Sequence, residues 1–314
     1  MSGHDIVRVA VVGPTASGKS SVAMAAALQV AGTELVSVDS MQVYRSMDIG
    51  TAKPSASDRA AVRHHLIDLV DPDVDFAVAE FQRAYRDAVA DIAARNGRAL
   101  LVGGTGLYHR AVIDDLELPG EWPDIRSRLL DEVADRGAPA LHARLVELDP
   151  VAASRMEPTN ERRVVRALEV CEGSGRPFSS FGPGLDAYPV SPIVQIGLRW
   201  DRSVLAERIE IRVHHMMDEG LLGEVEALAR RGLSRTARQA LGYKELLAHL
   251  DGECSLDEAV EQVVVRTRQF AVRQLRWFGR DPRVQWIDVA DDPVGEASPA
   301  VVAALSAPRS DASA

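Results

Sequence analysis

Alternating runs of apolar and polar positions predict a chain in which strands and helices follow one another. Short apolar runs bounded by turn residues predict strands at residues 7–12, 34–38, 64–68, 99–102, 194–198 and 284–287. Apolar positions at helical spacing predict helices at residues 21–28 and 76–95, and over most of the chain after Arg202. Strands that alternate with helices are typical of an α/β fold with a parallel sheet.

The stretch between residues 117 and 192 has a different pattern. Short amphipathic helices with arginines on their outer faces are predicted there, at residues 124–136, 138–148 and 161–172. Segments rich in glycine, proline or serine precede and follow them. We therefore predict a helical insertion domain at residues 117–192, a discontinuous core at residues 1–116 and 193–306, and a disordered tail at residues 307–314.

A glycine-rich octapeptide joins the first predicted strand to the first predicted helix. It fits the phosphate-binding pattern G-x-x-x-x-G-K-[S/T] at every specified position, with Gly13, Pro14, Thr15, Ala16, Ser17, Gly18, Lys19 and Ser20. Glycines let successive amides face one anion, and the helix N-terminus and the Lys19 ammonium add positive charge. A turn without a ligand is the minor alternative, so the octapeptide predicts a polyphosphate site in a P-loop NTPase-like core. Most such loops hold ATP or GTP, which makes a nucleotide-binding kinase or NTPase the default function.

Two further strand ends carry candidate chemistry. Asp39 follows the second predicted strand and should face the same crevice as Lys19, because ligands of open α/β sheets bind at the carboxyl ends of strands. Asp39 could instead cap the next turn. After the strand at residues 99–102, many nucleotide hydrolases carry a metal-binding acid, whereas this chain has a glycine-rich turn with Thr105. That difference argues against ordinary ATP hydrolysis, although Asp39 could take the acidic role.

Charged residues are distributed unevenly along the chain. The chain of 314 residues has a net charge of −10, which at first sight argues against nucleic acid as a partner. Residues 230–244 nevertheless hold five basic residues and no acidic one, and residues 266–283 hold six arginines and one aspartate. Within the second segment, donors recur every three or four residues along one helix face, at Arg266, Gln269, Arg273, Arg276 and Arg280. Such a stripe is more often a solvated face, but the lack of interleaved glutamates favours a polyanion partner.

The rest of the composition indicates a cytoplasmic protein. Hydrophobic residues make up 46% of the chain, enough for a substantial core, and neither a signal peptide nor a membrane span is expected. The two cysteines, Cys171 and Cys254, lie far apart without C-x-x-C partners, so neither a zinc site nor a disulfide framework is expected.

Taken in order along the chain, these motifs resemble the tRNA dimethylallyltransferases, also called tRNA isopentenyltransferases. The matching stretches are residues 13–20, 39–45, 48–54, 64–68, 103–108, 163 with 166–170, 242–245, and 267–271 with 273–274 and 277–278. The phosphate-binding loop alone is a weak signal, while the ordered set covers nearly the whole chain and is specific. Val272 stands where the family usually has lysine, which puts a basic contact at that position in doubt.

The resemblance implies a reaction that uses the loop without ATP. The family transfers a dimethylallyl group from dimethylallyl diphosphate to N6 of adenosine 37 of tRNA, next to the anticodon, and releases diphosphate. The loop and Lys19 would then bind the leaving group, with a Mg²⁺ ion held partly by the Ser20 hydroxyl. The family's base falls on Asp39, Thr105 would hydrogen-bond near the base or the diphosphate, and Arg212 fits the diphosphate-contacting arginine better than Arg208, which stays an alternative.

The resemblance also implies which residues meet the tRNA. These are Asp39, Ser40, Met41, Gln42, Thr105, Arg126, Arg162, Arg163, Arg166, Gln239, Gly242, Tyr243 and Lys244. The target adenine must leave the stacked anticodon loop to reach the diphosphate. The insertion domain would bind the anticodon stem of the tRNA, and the protein is expected to act as a monomer.

Three other functions remain open from the sequence alone. One is a small-molecule kinase on the same core, with Asp39 as the base toward a hydroxyl group. Another is an adenylate isopentenyltransferase that prenylates free nucleotides and needs neither the insertion nor the basic helix. The third is a nucleotide-dependent RNA-binding module without transfer chemistry.

Overall fold

Six parallel strands form one sheet in the computed structural model, which describes residues 6–182, 184–185 and 187–307. The strands are β1 (Val7–Val12), β2 (Thr33–Val38), β3 (His64–His65), β4 (Arg98–Gly103), β5 (Val194–Arg199) and β6 (Val284–Asp288). Their order across the sheet is β3-β2-β4-β1-β5-β6, and every pairing is parallel. The predicted α/β fold with a parallel sheet is therefore confirmed. The predicted tail lies outside the described residues from residue 308 onward.

One strand is shorter than expected. The prediction of a strand at residues 64–68 is wrong beyond His65, where β3 ends. Leu66 and Asp68 adopt left-handed backbone angles, with φ of 63° and 56°, which an extended strand does not allow. The chain therefore turns away from the sheet edge after two residues.

Helices cover both faces of the sheet. Val9 and Val11 belong to the apolar cluster on one face, and Ala10 and Val12 to the cluster on the other, as alternation along a buried strand requires. The helices outside residues 114–189 are α1 (Lys19–Gln29), α2 (Ala56–Ala61), α3 (Val78–Ala94), α4 (Gly106–Ile113), α9 (Arg202–Asp218), α10 (Leu221–Arg231), α11 (Tyr243–Leu250), α12 (Leu256–Phe278) and α13 (Pro293–Ser306). None of them is long and apolar enough to cross a lipid bilayer within the described residues.

A second compact unit, Asp114–Pro189, interrupts the first, which spans the chain up to Ile113 and from Val190 onward. Its helices are α5 (Pro123–Arg136), α6 (Ala138–Leu148), α7 (Pro150–Ala153) and α8 (Glu161–Ser174). Buried apolar side chains of these helices form a core of their own, which includes Leu129, Leu141, Leu145, Val164 and Leu168. The unit begins and ends three residues before the predicted limits of 117 and 192, because α4 ends at Ile113 and the chain leaves the first unit there.

Candidate functional site

Three strand ends lie level at one edge of the sheet. Gly103, the last residue of β4, is in register with Val38 of β2 on one side and with Val12 of β1 on the other. The chain therefore brings Asp39, the turn at residues 103–105 and the phosphate-binding loop side by side at the carboxyl edge. Sequence reasoning placed these groups in one crevice, and the sheet order supplies the neighbour relations that it lacked.

The phosphate-binding loop presents an open helix N-terminus. Gly18 caps α1 with φ of 87°, and no side chain caps the helix. A Cβ atom at Gly18 would lie 2.6 Å from the Pro293 side chain, so the position requires glycine for space as well as for backbone angle. Inside the loop, Lys19 Nζ donates to the Pro14 carbonyl oxygen at 3.2 Å. Uncapped amides at a helix N-terminus are suited to an anion.

Three charged side chains act on one another beside this loop. Burial lowers the pKa of Lys19 to about 8, with a further contribution from the positive charge of Arg212, while Asp39 acts in the opposite direction. Burial likewise lowers the pKa of Arg212, again opposed by Asp39. Two cations and one carboxylate therefore share a poorly solvated region, which a bound polyanion would neutralise.

Arg208 and Arg212, the alternatives for the diphosphate contact, occupy different places. Arg208 Nε donates to the Ala16 carbonyl oxygen at 3.0 Å, and its guanidinium lies 4.2 Å from the Trp200 ring centroid. Trp200 Nε1 donates to the Ser17 carbonyl oxygen at 2.9 Å. Arg208 therefore stabilises the backbone of the loop. The charge of Arg212 instead acts on Lys19 and Asp39, and this difference favours Arg212 as the residue that contacts the diphosphate.

Asp39 caps a turn with one oxygen and leaves the other free. Its Oδ1 accepts from the amides of Met41 at 2.8 Å and Gln42 at 3.4 Å. Its Oδ2 has no hydrogen-bond partner in the described part of the chain. Thr105 Oγ1 accepts from the Ser40 amide at 3.1 Å, so Thr105 adjoins the same turn. The capping role and a role as base are compatible, since they use different oxygens.

Several residues expected at the RNA are committed to the fold in this structure. Gln42 Nε2 donates to the carbonyl oxygens of Thr51 and Ala52, and its Oε1 accepts from Ser37. Tyr243 is fully buried and donates its hydroxyl to Glu224 at 2.5 Å. Both side chains are therefore occupied by contacts within the protein.

In the second unit, two of the expected arginines are likewise engaged. Arg126 forms two hydrogen bonds with the buried carboxylate of Glu169, at 2.9 and 3.0 Å. Arg166 pairs with the same carboxylate at 2.9 Å and donates to the carbonyl oxygens of Pro119 and Gly120. Arg162 and Arg163, by contrast, are exposed and form no side-chain hydrogen bond or ion pair within the described residues. Gln239 and Lys244 of the first unit are also exposed.

Sequence reasoning missed Glu224, which organises the loop after Tyr44. Its carboxylate accepts from the amides of Asp48 at 2.9 Å, Ile49 at 2.8 Å and Gly50 at 3.2 Å, in addition to the Tyr243 hydroxyl. It lies on an amphipathic helix that carries a second glutamate, Glu226, so no sequence signal distinguished it. Its loop forms one wall of a cleft of about 1540 Å³, whose other wall includes Ala16, Gly18, Arg208 and Arg212.

A magnesium site made by protein carboxylates is not present in the described residues, where no cluster of three acidic, histidine or cysteine ligands occurs. The exposed Ser20 hydroxyl lies in the first turn of α1, beside the uncapped amides. Mg²⁺ at phosphate sites usually keeps several waters and takes few protein ligands, the rest coming from phosphate oxygens. The residues present fit that kind of site.

Comparison with known proteins gives one consistent result. The sequence model of a family described as IPP transferase matches residues 42–281. Two curated relatives, from Pseudarthrobacter chlorophenolicus and Streptomyces coelicolor, are named tRNA dimethylallyltransferase; they are 50% and 51% identical, over 90% of this chain in each case and 94% and 91% of the relatives. The crystal structure of a Bacillus halodurans tRNA isopentenylpyrophosphate transferase is 40% identical and covers 96% of this chain and 97% of its own, with a TM-score of 0.68. A eukaryotic dimethylallyltransferase acting on tRNA is 26% identical over 94% of this chain and 77% of its own, with a TM-score of 0.76.

Proposed function

Because the chain belongs to the IPP transferase family, we propose that it is a tRNA dimethylallyltransferase. The reaction moves a dimethylallyl group from dimethylallyl diphosphate to N6 of adenosine 37, next to the anticodon. The bond between the allylic carbon and the diphosphate oxygen breaks, and a bond between that carbon and N6 forms. One N6 proton leaves, and diphosphate is released with the electron pair of the broken bond.

The observation that carries this proposal is the level alignment of three strand ends, which sets cations on one side and a carboxylate on the other. Lys19, Arg212 and the amides at the start of α1 are placed to stabilise negative charge as it builds up on the leaving diphosphate. Poor solvation of the two cations strengthens that interaction.

We propose Asp39 as the group that receives the N6 proton. Its Oδ2 is free, and its Oδ1 is held by the turn that follows β2, so the carboxylate has a fixed orientation. Thr105 adjoins this turn through Ser40 and can hydrogen-bond to the adenine or to the diphosphate. A positioned base of this kind contributes about 10²–10⁴-fold to a rate.

When bound, Mg²⁺ supplies additional positive charge to the diphosphate. Ser20 is the protein group that we propose as its ligand, with waters and diphosphate oxygens completing the shell.

The tRNA would be bound by exposed arginines that form no ion pair within the described part of the protein. Arg273 and Arg276 on α12, and Arg280 just after its end, are exposed and form no ion pair among the described residues. Arg162 and Arg163 show the same property in the second unit. Cations without internal partners lose little on binding phosphates and release counterions when they do. We propose the anticodon stem-loop as the tRNA region bound, and a monomer as the active form.

The test is a comparison of donor and acceptor pairs with the purified protein. We expect labelled dimethylallyl diphosphate to modify an unmodified tRNA transcript at adenosine 37, and the same transcript with guanosine at that position to stay unlabelled. Reactions with AMP as acceptor, or with ATP and candidate alcohols, should give no product. Product in the ATP reaction alone would identify a kinase, and equal labelling of AMP would identify an enzyme for free nucleotides; either result refutes the proposal.

A further inference from the structure

We propose that Gln274, on α12, is a positioning residue that holds the two halves of the catalytic site in register. Its side chain spans from the phosphate-binding loop to the turn that carries Thr105, and it is 6% exposed. The inference rests on the proposed function for its kinetic consequences, but its geometry stands independently.

The first contact fixes a peptide unit in the phosphate-binding loop. Gln274 Oε1 accepts from the Thr15 amide at 2.8 Å. The carbonyl of the same peptide unit belongs to Pro14, and it accepts from Lys19 Nζ at 3.2 Å. The N–H and C=O of a planar trans peptide point in opposite directions. Gln274 therefore determines the orientation of the carbonyl that holds the Lys19 ammonium.

The second contact fixes a peptide unit on the other side. Gln274 Nε2 donates to the Gly104 carbonyl oxygen at 2.9 Å. The N–H of that peptide belongs to Thr105 and points to the Val38 carbonyl oxygen at 3.4 Å, directly before Asp39. Because Thr105 Oγ1 also accepts from the Ser40 amide, this peptide connects Gln274 to the turn that holds the proposed base.

The side-chain amide is matched to both partners. An N–H group needs an acceptor and a carbonyl oxygen needs a donor, so only one orientation of the Gln274 amide satisfies both contacts. A Cβ atom at Gly104 would lie 2.3 Å from Gln274 Nε2, which shows that the glutamine occupies the space a side chain there would need.

The two contacts of Gln274 affect the separation of Lys19 and Asp39. Lys19 stabilises the leaving group and Asp39 accepts the proton, so their separation determines how well the allylic carbon and N6 are aligned. Misplacement by about 1 Å can cost about 100-fold in rate. Loss of Gln274 should therefore lower kcat and weaken diphosphate binding, while tRNA binding by distant arginines persists.

Two variants test the proposal. Gln274→Met keeps the length of the side chain and removes both hydrogen bonds. Gln274→Glu keeps the acceptor toward Thr15, loses the donor toward Gly104 when ionised, and regains it when protonated. Gln262→Met is the matched control, because Gln262 is exposed on the same helix and its side chain forms no hydrogen bond among the described residues.

We expect Gln274→Met to weaken the binding of inorganic pyrophosphate, measured by calorimetry, about tenfold or more, and to lower kcat about 10- to 100-fold. The dissociation constant for tRNA should change by less than about threefold, and Gln262→Met should match the wild type. For Gln274→Glu, the kcat relative to wild type should rise as the pH falls, since a protonated carboxyl again donates to Gly104.

Unchanged pyrophosphate affinity in Gln274→Met, or a flat pH ratio for Gln274→Glu, would overturn the inference. If Gln274→Met is unfolded by circular dichroism, the pH ratio of Gln274→Glu decides. If the wild type transfers no prenyl group, the proposed function fails, while the pyrophosphate measurement still tests the role of Gln274 in the loop.

Discussion

Lys19 carries a positive charge that the folded, unliganded protein disfavours. Burial, and secondarily the charge of Arg212, lowers the pKa of its ammonium group from 10.5 to about 8. Lys19 forms no ion pair in the described part of the chain, and its hydrogen bond goes to the Pro14 carbonyl oxygen. We therefore expect Lys19→Met to stabilise the unliganded protein at pH 7 while abolishing its affinity for pyrophosphate.

The size of the stability gain in Lys19→Met, and its dependence on pH, follow from the Lys19 pKa values of 10.5 in the unfolded chain and about 8 in the folded protein. A difference of this size corresponds to about 3.4 kcal/mol at pH 7. Because the side chain retains some solvent contact, we expect about 1–3 kcal/mol. Above about pH 8 the folded protein loses the charge, whereas the unfolded chain keeps it up to about 10.5. The wild type therefore regains stability as the pH rises, and the advantage of the variant should fall to roughly half by pH 9.5.

Urea unfolding followed by circular dichroism at pH 7 and pH 9.5, without phosphate or diphosphate, measures this difference. Lys53→Met is the matched control, because Lys53 is 1% exposed and pairs with Asp48 at 2.8 Å and Asp68 at 2.6 Å. Removing it takes away the cation of Asp48 and one of the two cations of Asp68, which keeps Arg59 at 2.6 Å, and should destabilise the protein by about 1–3 kcal/mol. A Lys19→Met protein less stable than wild type at pH 7, or a stability advantage that grows with pH, would show that the buried Lys19 charge does not destabilise the unliganded protein.

Further predictions concern the base, the cleft wall and the second unit. Asp39→Asn keeps the Oδ1 acceptor of the turn, so it should bind tRNA normally in filter assays and lose about 100-fold or more in transfer rate; near-normal turnover would exclude Asp39 as the base. Glu224→Ala leaves three backbone amides and a buried hydroxyl without their acceptor, and should cost about 2–4 kcal/mol in urea unfolding, with Glu226→Ala as the control. Arg126→Ala should speed amide hydrogen exchange in α5 and α8, because it removes one of the two arginines that pair with the buried Glu169 carboxylate, whereas exchange equal to that of exposed Arg162→Ala would contradict this role.

Sequence patterns predicted the strands and helix ends whose formation depends on residues close together in the chain. The β-branched runs and the capping box at Ser255 correctly indicated the strands of the sheet and the start of α12, where the Ser255 amide donates to Glu258 at 2.8 Å. Sequence reasoning missed α4, because Gly103 to Gly106 has the composition of a turn. The helix begins at Gly106, where the Trp277 ring leaves no room for a side chain, and that ring comes from a residue far along the chain.

In the candidate site, too, residues that depend on their sequence neighbours were predictable, and residues that depend on distant contacts were not. The phosphate-binding loop and Asp39 could be recognised from sequence because each depends on its immediate neighbours. The tasks of Gln274, Glu224 and Arg208 could not, since each contacts backbone groups that are distant in sequence. The sequence around a helical glutamine or glutamate does not show whether the side chain faces solvent or a loop. Only the folded structure distinguishes the two cases.

The strand order has a consequence for synthesis on the ribosome. β1, which leads into the phosphate-binding loop, is the first strand made, but its partner β5 begins only at Val194, after the whole second unit has been translated. Until then the growing chain can pair β1 with β4 alone, and its other edge of valine and alanine backbone stays open to wrong partners. Release of the nascent chain before residue 194 would therefore yield an aggregation-prone sheet of only four strands, β1 to β4.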